Sequence, residues 1–125
     1  MSKKNKKNTN QKDLQEVIEK WNLPFYDQKH RQTIYLYDKA RSNETRTEHI
    51  INSRHNLKSR DLEMVPAGIN NYFAYKKDPI YKDTFNYYLI RKGLDKGFIK
   101  ISIQLDGKDK SKGWIKTIYI TYHLK

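Results

Sequence analysis

Two of the chain's four histidines, His49 and His55, fall in a stretch that also carries Arg46, Ser53 and Arg54. These side-chain types suit cleavage of an RNA phosphodiester without a metal. Such cleavage needs a base for the 2′-hydroxyl proton, an acid for the leaving 5′ oxygen and a cation to hold charge on the phosphorane. Imidazole titrates near neutrality and can fill either proton role. Guanidinium binds phosphate through a planar fork of donors. Arg46, His49 and Ser53 stand at i, i+3 and i+7, so a helix puts them on one face. His55 lies roughly 120° further round an ideal helix. Both imidazoles reach one site only if that helix ends near Arg54. A surface helix with ordinary His and Arg explains the same spacing.

A second group of polar residues lies near the C-terminus. Thr117, Tyr119 and Thr121 alternate, so a strand points all three the same way. A tyrosine on such a face can stack on a base or donate to a phosphate. Strand propensity alone also favours Thr and Tyr there. Lys100 and Lys116 add cations within strand-like segments. Familiar metal motifs are missing: there is no HExxH, and the acids stand singly rather than in the pairs a two-metal nuclease needs. No Gly-rich phosphate loop or GxSxG turn occurs. The expectation is acid–base chemistry with neither metal nor cofactor.

Composition narrows the class. At 125 residues the chain fits one domain. It has no cysteine, so disulfide and thiolate metal sites are excluded, which suits a reducing cytoplasm. No run of eighteen apolar residues is present, and no apolar segment follows the Lys-rich N-terminus, so neither a membrane span nor a signal peptide is expected. Lys and Arg number 26 against 14 acids, a net charge of +12. The first twelve residues hold five Lys and no acid, yet the remainder is still strongly positive. Such a field concentrates polyanions. Ten Tyr, four Phe and two Trp, some interleaved with Lys as in YKKDPIYKD, suit stacking on bases and equally suit ordinary packing.

The elements that would position these residues follow from periodicity. Residues 1–12 read as a disordered basic arm, and 13–125 as one domain. Leu14, Val17, Ile18 and Trp21 mark an amphipathic helix stopped before Pro24. Residues 32–38 alternate like a strand. Residues 44–55 read as a helix capped by Asn43. Residues 59–71 read as a further helical stretch, with Pro66 at a kink or the first turn of a continued helix. Period two then takes over at Phe85–Ile90, Phe98–Leu105 and Trp114–Tyr122, and a short edge strand broken at Pro79 fits in 72–83. Helices followed by strands in meander order predict an α+β fold: N-terminal helices packed on a small antiparallel sheet of about four strands.

Over residues 45–122 the string EHIINSRHNLKSRDLEMVPAGINN, followed by three strands ending in GWIKTIYITY, resembles the phage-type nucleases of the barnase–EndoU–colicin–RelE superfamily. The matching positions are His49, the Arg54–His55 pair, Asp61 with Pro66, and Thr117 with Tyr119. The resemblance implies a metal-independent endoribonuclease of toxin or effector type, encoded by a phage or mobile element. It would cut RNA to a 2′,3′-cyclic phosphate, with an immunity or antitoxin protein as a possible partner. His49, His55, Arg54, Thr117 and Tyr119 would be the catalytic set, and Arg46, Ser53, Lys100, Lys116 and Thr121 would bind substrate. The long segment YFAYKKDPIYKDTF departs from a compact relative and leaves the strand register open. A non-catalytic nucleic-acid-binding protein or phage-encoded inhibitor is the alternative.

Overall fold

The computed structural model describes residues 12–36, 50–51 and 57–124. Six strands form one sheet: β1 (Phe25–Asp27), β2 (Gln32–Tyr35), β3 (Ala74–Lys77), β4 (Thr84–Ile90), β5 (Phe98–Leu105) and β6 (Lys112–Thr121). Helix α1 spans residues 12–19, α2 is Ser59–Glu63 and α3 is Val65–Gly68. Pro66 stands in the first turn of α3, where its missing N–H has no helical partner to lose. Ile50 and Ile51 are also helical.

The fold is α+β, but the sheet is larger and less regular than the four antiparallel strands expected. Its order is β1-β2-β6-β5-β4-β3. The β3–β4–β5–β6 part is the antiparallel meander. The other two strands come from the N-terminal part of the chain. β1 and β2 form an antiparallel hairpin, and β2 then pairs parallel with β6, Ile34 opposite Gly113. The hairpin thus occupies the β6 edge that the meander leaves unpaired, which makes the sheet mixed. β1 escapes sequence reading because three residues are too short to show a period.

Alternation gives the sheet two chemically different faces. Ile99, Ile101 and Ile103 of β5, Ile115 and Ile118 of β6, Tyr87 and Leu89 of β4, and Ile34 of β2 point inward and are buried. Leu14 and Ile18 of α1, Ile50 and Ile51, Leu62 of α2, and Val65 and Ile69 at α3 cover this inner face and complete the core. Trp21, two residues past α1, lies inside this layer and donates its indole N–H to the Leu62 carbonyl at 3.1 Å. Gly68 lets α3 approach closely, since a Cβ there would stand 2.3 Å from Leu89 Cδ1.

A buried ion pair ties α2 to the strand layer. Arg91, just past β4, donates from Nε and Nη2 to the two Asp61 carboxylate oxygens at 3.0 and 2.9 Å. Asp61 also accepts the Lys58 backbone N–H at 2.9 Å, capping α2. No described helix is long and apolar enough to cross a membrane.

Candidate nucleic-acid interface on the outer face

The outer face carries the residues that alternate with the buried isoleucines. Register places Tyr88 of β4, Lys100 of β5 and Tyr119 of β6 in one row across the sheet. The next row is Asn86, Ser102 and Thr117. The Lys100 ammonium lies 5.2 Å from the Tyr119 ring centre and 5.9 Å from that of Tyr88, within cation–π range of both. Partial burial works against its charge, but a hydrogen bond with Tyr119 and the nearby Asp78 carboxylate hold its pKa above the ordinary lysine value. Lys100 therefore stays cationic.

Lys116 joins this face through a break in the ladder. Strict alternation would send Lys116 inward, away from Thr117. The register instead steps from Ser102 opposite Thr117 to Ile103 opposite Ile115, leaving Lys116 as the extra residue of a bulge. Lys116 and Thr117 consequently line the same cavity, with Lys100, Ser102 and Tyr119. Its volume is about 670 Å³.

The cavity's wall is the loop between β3 and β4. Asp78 organises that loop by accepting the backbone N–H groups of Ile80 and Tyr81 at 2.9 and 2.8 Å on Oδ1. Its other oxygen accepts Asn86 Nδ2 at 3.1 Å, and Asn86 Oδ1 accepts the Ser102 hydroxyl at 2.7 Å. Burial alone would raise the Asp78 carboxyl, but these donors and the Lys100 charge hold it below the usual carboxylate range. Turn and sheet are thus locked together by a polar chain. Ile80 and Tyr81, 81% and 68% exposed, project at the rim. From the far side, the chain's C-terminal residues cross to β3, where Lys76 donates to the Leu124 carbonyl at 3.4 Å.

Of the expected site residues, Lys100, Lys116, Thr117 and Tyr119 meet at this cavity. Thr121 faces the same way but lies opposite Phe98 at the strand's end, where its hydroxyl bonds with the His123 backbone. It does not line the cavity. Arg46, His49, Ser53, Arg54 and His55 lie outside the described residues. Asp61, one of the resemblance positions, is committed to Arg91 and the α2 cap. Sequence reading misses Ser102, Asn86 and Asp78 as a unit. The alternation of Ser102 with Lys100 is a usable signal, but the chain from Ser102 to Asp78 depends on the β3–β4 turn. Among the described residues no group of three or more His, Cys, Asp or Glu could hold a metal ion.

Fold and face together define a small α+β protein with a basic, hydroxyl-lined cavity on the outer face of its sheet. Compared with protein-family models, curated proteins and solved structures, the chain matches none of them.

Proposed function

We propose that the protein is a metal-independent endoribonuclease that holds RNA against the outer face of its sheet. The observation that carries this reading is the convergence of Lys100, Lys116, Thr117 and Tyr119 on one cavity in a chain of net charge +12. Two ammonium groups neutralise a phosphate, and the hydroxyls donate to its oxygens. Exposed Tyr81 at the rim offers a stacking surface for a base. His49 and His55 supply the proton transfers, and Arg46, Ser53 and Arg54 add phosphate contacts, as the sequence resemblance to the barnase–EndoU–colicin–RelE nucleases implies. Cytoplasmic residence, a phage or mobile-element origin and an immunity or antitoxin partner belong to the same reading.

The test is cleavage of single-stranded RNA in EDTA, with product ends identified as 2′,3′-cyclic phosphate. Lys100→Ala should lower cleavage roughly a hundredfold by removing a cation aimed at the reacting phosphate. His49→Ala with His55→Ala should abolish it. Unchanged cleavage in the double His variant, or none in the wild type, would sink the proposal.

A second reading, RNA binding without cleavage, is favoured by one specific observation. The carboxylate lining the cavity, Asp78, is occupied by two backbone donors and Asn86, and Lys100 is held protonated. Neither is free to accept a proton at neutral pH. This reading predicts salt-sensitive binding with no product, weakened by Lys100→Ala but indifferent to the His substitutions.

A further inference from the structure

The opposite face of the sheet carries a polar cluster that the cavity does not use. Asp27 ends β1 at an inward position, in line with Phe25, and is fully buried. A carboxylate in a core is costly unless paired and hydrogen-bonded. Here the partners come from a distant strand and the adjoining loop. The Tyr87 hydroxyl of β4 donates to Oδ2. The His30 backbone N–H donates to Oδ1 at 3.1 Å, and His30 Nδ1 lies 2.7 Å from Oδ2. Burial pushes the Asp27 carboxyl up, but these bonds and attraction to the imidazole hold it below the usual range. An anionic Asp27 makes Nδ1 the protonated nitrogen, so the second nitrogen, Nε2, faces any ligand.

Two other features hold this imidazole in place. Tyr75 of β3 stacks on it with ring centres 3.8 Å apart and planes 20° apart. Asn70 clamps the loop, accepting the Gln28 N–H at 2.9 Å and donating to the Tyr26 carbonyl at 2.7 Å. The His30 side chain keeps 24% of its surface exposed, and Nε2 has no partner among the described residues. Lys29 and Arg31 flank it, both exposed. Neither is paired with a carboxylate among the described residues, and Lys29 Nζ stands 5.9 Å from the Tyr72 ring centre.

We propose that loop 28–31 is a phosphate-binding site in which His30, positioned by Asp27, binds together with Lys29 and Arg31. The phosphate is either free or part of a nucleic acid. Two exposed cations, Lys29 and Arg31, then flank in sequence a histidine whose Nδ1 is held by a buried carboxylate, and a phosphate balances their charge. The groups packed against His30 from other elements are Asp27 of β1, Tyr72 and Tyr75 beside and on β3, and Tyr87 of β4. Burial raises the Tyr75 hydroxyl to about 12 and Tyr87 further still, so Asp27 is the anion among them at neutral pH. Tyr75 and Tyr87 point inward whereas Lys100 and Tyr119, which line the proposed RNA cavity, point outward, so the two sites are tested separately.

The experiment follows the His30 ring resonances of the full chain by NMR, titrated with inorganic phosphate and, separately, with a single-stranded oligoribonucleotide. A saturable shift is expected. A response to inorganic phosphate assigns a free-phosphate site, and a response to the oligoribonucleotide alone assigns a backbone subsite; either supports the proposal. Lys29→Ala and Arg31→Ala change exposed side chains, and each should weaken binding roughly tenfold. His30→Gln, followed through the Lys29 and Arg31 amide signals, should also weaken binding. No shift with either probe overturns the proposal, as does an affinity unchanged when both Lys29 and Arg31 are Ala.

Discussion

Asp27 is a charge on a face that is otherwise mostly apolar, and its stability contribution has a defined sign with pH. Its native carboxyl lies below its unfolded value. It therefore stabilises the fold fully above an unfolded pKa of about 3.9, and the contribution is lost as pH falls through the lower native value. Urea unfolding across acidic pH should show a shallower loss of stability in Asp27→Asn than in the wild type. Asp61 behaves differently, because both its oxygens meet the Arg91 fork and both residues are buried. Asp61→Ala leaves a buried guanidinium that keeps only the Lys96 carbonyl at 2.9 Å and the Asp95 carboxylate at 3.9 Å. Chemical denaturation should report a destabilisation of about 3–5 kcal/mol.

Among the elements, β6 carries the most. It pairs with β5 on one side and β2 on the other, and its bulge turns Lys116 onto the face of Thr117. Where β5 begins, Gly97 adopts φ +91°, and a Cβ there would stand 2.9 Å from the Thr121 carbonyl oxygen at the end of β6. Gly97→Ala combines backbone strain with a clash against main chain, so thermal unfolding should show a destabilisation of roughly 1–3 kcal/mol. The meander itself was legible, since Ile99, Ile101 and Ile103 repeat at period two and Asp106–Gly107 punctuates the turn. So was the common face of Thr117 and Tyr119, which alternation alone dictates. The parallel β2–β6 pairing was not, because it joins segments far apart in sequence and no local pattern encodes a partner. Nor was the placement of Lys116, because a bulge depends on the register of two strands rather than on the composition of one. Asp27 and His30 stand three apart in DQKH, a spacing that suits a turn; the partner that fixes them, Tyr87, comes from another strand.

At the level of the whole molecule the positive charge is spread, with Lys100 and Lys116 lining the outer cavity and Lys29 and Arg31 exposed on the β1–β2 loop. RNA affinity should fall linearly on a log–log plot against salt. Replacing Lys100 or Lys116 with Ala should lower the magnitude of that slope by about 0.7 for each phosphate no longer neutralised, as read by fluorescence anisotropy. The seating of the β1–β2 hairpin against β6 has a further consequence, one of timing. β2 finds its permanent neighbour only once Lys112–Trp114, far later in the sequence, have been made, and until then its outer edge is unfilled. The sheet closes on its sixth strand, and until then a nascent chain presents the kind of open β-edge that chaperones shield and that neighbouring chains can misuse.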